Sequence, residues 1–382
     1  MKSIFRNKTD KSILIILIGL FILAALVCFL CAYNYTHMLD SQFEAERWQG
    51  ESEESFSQIS CFLPADGKLD VSDINNYRGK MVQKLDEASV DLTESRPFID
   101  CWSCEDSTKA YGMYNGTASI VACGGNFFAF HPLKLVTGNY FSGDDLMQDN
   151  VLLDEDLAWL LFGGNDLEGQ TVYLYNLPFR VAGVVARESD QATEKAYSGG
   201  LGLFMSYDAY MDICSGGASE DMSENGESAA DGSRIRKYGI TCYEVCMPNP
   251  VEGFAVGVVQ SEFPIGTGEI VENTGRFRLL NLLKIAKDFS VRSIHDGPAF
   301  SYWENAARYA ENKAAILIVA GAVLLFLPAA VLLVLLIKRT AYAGEKIRED
   351  LLPEMRDKIE ESVRKRQRKR WEKRHGVQNR ES

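Results

Sequence analysis

Two stretches stand apart from an otherwise mixed pattern of apolar and polar positions. Ser12–Ala32 and Ala314–Ile337 run for 21 and 24 residues without a charge. At about 1.5 Å per residue they reach roughly 31 and 36 Å, enough to cross a hydrocarbon core of ~30 Å. Between them the pattern is that of a water-exposed fold. Tyr33–Glu54 is polar and acid-rich, which predicts a helical stalk continuing the first apolar run. Ser72 predicts the N-cap of an amphipathic helix through Tyr77, Met81, Val82 and Leu85. Phe98–Trp102 and Ala118–Cys123 predict strands. Asp154–Phe162 predicts a short helix, acidic in its first turn and stopped by Gly163-Gly164. Thr171–Tyr175 and Phe179–Val185 predict a hairpin closed by Asn176-Leu177-Pro178. Further strands are expected at Ile240–Met247 and Ile270–Val271, with an αβ junction at Phe254–Phe263. Apolar residues recur at helix spacing from Phe277 to Ile285, and amphipathic Tyr302–Asn312 leads straight into the second apolar run.

One stretch breaks this alternation. Cys214–Ser233 is small, acidic and polar, and cannot repay its ordering entropy. It predicts a flexible loop, 214–233, inside the outer domain or between two lobes. The resulting plan is an α+β extracytoplasmic domain, 34–313, between transmembrane helices 12–33 and 314–337. A short N-terminus, 1–11, and a basic helical tail, 338–382, complete the chain.

Charge orients that plan. The whole chain carries a net charge of −13. Residues 1–11 are net +3 and residues 338–382 net +6, which leaves the middle at −22. Basic flanks mark the cytoplasmic side, so both termini are expected in the cytoplasm and the 280-residue domain outside. Cleavage of the first run as a signal peptide is the alternative. Its apolar length exceeds the usual ~7–15 residues, and no small-x-small site closes it. An acidic exterior of this size argues against nucleic acid or an anionic outer surface as a partner.

The stretch Gly138–Val185 carries a recognisable pattern. Gly138-Asn139-Tyr140-Phe141 precedes Val151–Leu153 and a short helix. Leu161-Phe162-Gly163-Gly164-Asn165-Asp166-Leu167-Glu168-Gly169 follows, and Val181-Ala182-Gly183-Val184 ends the second strand of the hairpin. Over these roughly 50 residues the chain resembles the MacB-like periplasmic core domain of ABC-transporter permeases. The glycines permit positive-φ turns, Phe141 and Phe162 are sized as buried anchors, and Asp166 can bond its own turn. The motif therefore names a scaffold and supplies no catalyst. Family permeases carry three spans after this domain, whereas one is visible here. No G-x-x-x-x-G-K-[ST] loop is present, so ATP hydrolysis would belong to another chain.

Candidate chemistry is sparse. Seven cysteines fall in the outer domain, an odd number. Cys101 and Cys104, at C-x-x-C spacing, are the candidate disulfide, with free thiols, a redox pair and metal ligation as alternatives. Joining Cys242 and Cys246 to them as a zinc site is disfavoured, because i and i+4 of a strand lie ~13 Å apart. His37, His131, His295 and His375 are scattered without ligand spacing. No catalytic residue, metal or cofactor is expected. Pro328 interrupts the second span and is a candidate hinge. Arg364–Arg374, with eight basic residues and Trp371, suits an anchor on anionic inner-leaflet lipid. The resemblance implies a non-catalytic membrane subunit, or a truncated permease, of a MacB-type ABC system. Its partners would be a separate ABC ATPase, another permease subunit and membrane lipids, in a bacterial plasma membrane. An envelope sensor that reuses the domain without an ATPase is the competing expectation.

Overall fold

The computed structural model describes residues 8–52, 54–65, 69–90, 98–142, 145, 147–196, 201–216, 239–287 and 300–375. Chain contacts divide it into two units, residues 30–317 and residues 1–29 with 318–382.

The first unit is built on a ten-stranded mixed sheet. Its strands are β1 (Phe56–Phe62), β2 (Ile99–Tyr111), β3 (Asn115–Gly125), β4 (Leu135–Gly138) and β5 (Asn150–Asp154). Then come β6 (Thr171–Leu174), β7 (Leu177–Val185), β8 (Leu201–Ser206), β9 (Cys242–Pro248) and β10 (Glu269–Glu272). The order is β10-β1-β9-β2-β3-β8-β5-β7-β4, with β6 pairing β2 and β7. Most neighbours are antiparallel, while β3–β8 and β5–β7 are parallel. The sheet runs unbroken through this unit, although the 214–233 stretch divides the chain. The reason lies in β9, which follows the 214–233 stretch yet inserts between β1 and β2. Of that stretch, 214–216 end a helix and the remainder lies outside the described residues, as does His295.

Alternation along the strands feeds two cores. On one face pack α3 (Val71–Glu87), α5 (Glu155–Phe162), α7 (Tyr207–Gly216) and α8 (Phe254–Glu262). Helix α3 offers Ile74, Tyr77, Met81 and Leu85, one stripe at helical spacing, and Tyr77 meets Tyr243 and Phe263 edge-on. The other face is covered by α2 (Glu44–Gln49), α4 (Phe127–Phe130) and the start of a long helix, α10 (Tyr302–Lys346). Two further helices are α6 (Gln191–Ala196) and α9 (Leu279–Lys287).

Several expectations shift by a few residues for physical reasons. The first helix, α1 (Lys8–His37), ends before the predicted stalk does, and a 3₁₀ turn at Asp40–Gln42 separates it from α2. The cap of α3 is Asp70 rather than Ser72, because the Asp70 carboxylate takes both the Ser72 and Asp73 N–H groups while Asp73 returns the bond. Asp154 caps α5 by accepting from Leu157 N–H, and Gly163 stops it at φ 78°. The β6–β7 turn sits at Tyr175 and Asn176, both at positive φ, so β7 begins at Leu177.

In the second unit, the apolar parts of α1 and α10 approach at one small residue. A Cβ on Gly321 would come within 2.9 Å of the Phe29 ring. Pro328 lies inside α10. The helix runs on through a π turn at Ile347–Leu351 into α11 (Leu352–His375), and Pro353 at the junction has no N–H to give the preceding turn. Helix α11 is mostly charged and laced by i,i+4 ion pairs such as Glu354–Lys358 and Glu361–Lys365, with Leu352, Met355, Ile359 and Val363 along one exposed side. Both α1 and α10 are long and apolar enough to cross a membrane.

Candidate functional site

The motif residues of 138–183 gather around β4, β7 and the end of α5. Gly138, at φ 74°, stands opposite Gly183, and a Cβ on Gly183 would meet Thr137 O at 2.7 Å. Only a pair of glycines lets these two backbones touch. Phe141 is buried against Phe128, at 5.2 Å between rings. Phe162 is half-buried and covers Gly112. Asp166 is exposed. The turn is held instead by Thr137 Oγ1, which donates to Asn165 O at 2.6 Å, and by Asn165 Nδ2 on Glu155. Gly169 reaches positive φ and donates its N–H to Val181 O. These contacts are all architectural.

Cys101 and Cys104 do not form a disulfide in this fold. Both are buried free thiols of β2, three residues apart, and so face opposite cores. The same geometry excludes a four-cysteine zinc site, since Cys242 and Cys246 share only the Cys101 face. Burial, followed by the charge of Glu244, pushes the Cys101 thiol well up, and burial does the same to Cys104. Thiols held protonated in this way are poor nucleophiles.

The chemistry concentrates where the chain enters α10. Arg276, in the loop after β10, is almost sealed from water, with its side chain 4% exposed. Its Nη1 and Nη2 donate to the two Glu304 oxygens at 2.8 and 3.1 Å, and its Nε to Glu311 at 2.9 Å. Both acids lie on the first turns of α10. Gln42 accepts from Nη1 at 2.7 Å. Arg308, one turn beyond Glu304, bonds it at 2.7 Å, reaches Glu269 and lies 3.9 Å over the Phe300 ring. Burial alone would lower the guanidinium of Arg276, yet Glu304 and Glu311 reverse the sign and hold it raised. Burial likewise works to raise Glu304, and Arg276 and Arg308 win, leaving it lowered. Two more carboxylates hold the helix start. Glu105 accepts from Tyr302 N–H, and Glu188 from Tyr302 Oη at 2.9 Å. Burial pushes the Glu105 carboxyl up to about 7.

From Arg276 a polar line continues through the sheet. Arg276 Nη1 donates to Asn273 Oδ1, Asn273 Nδ2 to Ser60 Oγ, and Ser60 Oγ to Glu244 Oε1. The other Glu244 oxygen meets His131 Nε2 at 2.6 Å. His131 then packs 4.4 Å from Trp303, which returns the line to α10. Cys101, His131 and Glu244 offer ligand atoms within 4.8 Å of one another, all buried. Two N/O ligands of one tetrahedral ion stand about 3.3 Å apart, given metal–ligand bonds of ~2.0–2.1 Å. At 2.6 Å the His131–Glu244 contact has hydrogen-bond length, so this arrangement fits a buried polar pair and not a metal centre.

Sequence reasoning missed every member of this joint. One signal was present: Glu244 is a lone acid in the apolar strand CYEVCMP. The contacts of Arg276 left none, since Gln42 lies 234 residues away.

The sequence profile of the MacB-like periplasmic core domain matches residues 12–230. The chain belongs to the MacB-like periplasmic core domain family. Among relatives of this family, the macrolide export ATP-binding/permease protein MacB 2 of Aeromonas hydrophila is 26% identical over 122 residues. That alignment spans 31% of this chain and 19% of the relative, so the match covers about a fifth of that protein. The periplasmic region of MacB from Actinobacillus actinomycetemcomitans is 18% identical with a TM-score of 0.38, covering 63% of this chain and 94% of that structure. The extracellular domain of the noncanonic ABC-type transporter YknZ from Gram-positive bacteria is 13% identical with a TM-score of 0.35, covering 57% and 99%.

Proposed function

We propose that this chain is a non-catalytic membrane component of a MacB-type ABC system, whose outer domain engages a substrate or partner protein. A separate ATPase would supply the motion, and α10 would carry it. Family membership supports the transporter setting. The observation that carries the mechanical reading is one continuous helix, Tyr302–Lys346. Its first turns are locked to the sheet by Arg276, and its later turns are apolar enough to span a bilayer. Ion pairs sealed from water resist shear better than exposed ones, because sliding either partner strands a buried charge. Both termini would lie in the cytoplasm and the domain outside, following the basic flanks.

Purification from native membranes in mild detergent tests this reading. An ABC ATPase and a multispan permease should copurify with the chain. Their reproducible absence, with the chain intact and abundant, would instead favour an envelope sensor built on the same domain.

A further inference from the structure

Helix α9, Leu279–Lys287, leaves its apolar side uncovered. Leu282 is 1% exposed and points into the domain, whereas Leu279, Leu280 and Leu283 are 56%, 73% and 40% exposed. On a helical wheel these three leucines form one flank; Lys284 stands at its edge and Lys287 within it, one turn after Leu283. Three exposed leucines on nine residues is a patch that a soluble surface does not keep without a use.

Two observations say what covers it. The first is position. Arg276, three residues before α9, is bonded to Glu311, and Glu311 lies three residues before the apolar run that opens at Ala314. Three residues of helix are about 5 Å. The chain entering α9 is thus tied to the turns of α10 that lead into its apolar run. Nearby Tyr35 and Tyr309 meet at 6.4 Å, aromatic groups of the kind that favour a membrane–water boundary. The second is charge. The outer domain is net −22, yet residues 278–287 hold Arg278, Lys284 and Lys287, all exposed, and no acid. A basic, leucine-rich island on an acidic domain suits an anionic lipid surface.

We propose that α9 is an interfacial helix, which lays Leu279, Leu280 and Leu283 into the outer leaflet of the membrane that the chain crosses, with Lys284 and Lys287 on anionic headgroups. The inference rests on the membrane-spanning reading above. Its consequence is a third attachment point: the outer domain is tied to the bilayer sideways as well as through its two helices.

The full chain, reconstituted in vesicles of phosphatidylglycerol and phosphatidylcholine, provides the test. An environment-sensitive fluorescent residue is encoded in place of Leu280, or in place of Met113. Met113 is 75% exposed at the β2–β3 tip, eight residues along β2 from Glu105, which itself touches α10 at Tyr302. Lipids brominated high on the acyl chain should quench the probe at 280 at least about threefold more than the probe at 113, as burial of ~5–10 Å requires. Lys284→Glu with Lys287→Glu should reduce that quenching toward the level at 113. Equal quenching at 280 and 113 in carbonate-resistant vesicles would overturn the interfacial helix alone. A blue-shifted but unquenched probe at 280 would overturn it too, since protein would then cover the leucines. If alkaline carbonate strips the chain from the vesicles, the spanning reading falls and takes this inference with it.

Discussion

Arg276 is a cation sealed between two carboxylates of one helix, and its value is specificity more than stability. An apolar replacement of the whole cluster could be as stable, but removing one partner strands the others. Arg276→Met leaves Glu304 with only Arg308 to compensate it, and should cost about 3 kcal/mol or more. Denaturant unfolding of the detergent-solubilised chain measures this; a loss within that of a surface variant such as Lys80→Met would show that the cluster carries no weight. Glu105 has the opposite temper. Its folded pKa, about 7, stands above the ordinary 4.5, so between those values the folded chain holds a proton that the unfolded chain has lost. The stability it contributes is therefore full below 4.5 and lost as pH rises through 7. Glu304, held lowered, works the other way: its contribution is present above 4.5 and lost as pH falls below its depressed pKa. Glu105→Gln keeps the acceptor for Tyr302 N–H and removes the titration. It should flatten the decline in unfolding midpoint between pH 5 and 7.5, and an unchanged slope would locate that decline elsewhere.

Among the elements, α10 does the most with the least variety. Forty-five residues form one helix, with Pro328 inside it. Proline removes the bond to the carbonyl of Leu324, and lipid offers no substitute donor. If α10 carries motion, this is where it bends. Pro328→Ala should leave abundance and membrane insertion intact while weakening an ATPase-dependent phenotype; an unchanged phenotype would reduce the second span to an anchor. The spans, α5 and the β6–β7 hairpin are legible in the sequence because each rests on a local signal: an uncharged run, an Asp–Gly bracket, two β-rich runs around a turn. The cap of α3 is only half legible, since Asp70 and Ser72 are equally good cap residues and geometry decides between them. The joint is barely legible, its one local sign being the lone acid Glu244 in an apolar strand. Glu304 and Glu311 stand 28 and 35 residues from Arg276, and His131 stands 113 from Glu244, so nothing local announces either pairing.

At the scale of the whole molecule, charge and hydropathy set the plan before any fold is known. A net −22 domain flanked by basic ends is what the proposed orientation, with both ends inside, would call for. The MacB-like motif adds the scaffold, because its glycines permit a backbone approach at Gly138 and Gly183 that few sequences allow. Cysteine arithmetic misleads, because C-x-x-C on a strand splits its two thiols between faces, whereas on a helix it would gather them.

The threading of the sheet has one more consequence. Strand β1 lies between β10 and β9, and β9 lies between β1 and β2. The two halves of the chain are therefore woven together, and the peptide linking them at 217–238 is not what keeps them joined. Residues 1–216 and 239–382, made as separate polypeptides in one cell, should assemble by complementation into a single particle. A tag on either fragment should retain the other through a detergent wash. This split offers a place to install a cargo domain or a reporter half without disturbing the joint. Fragments that part company in the wash would mean that the weave forms only when the chain is continuous.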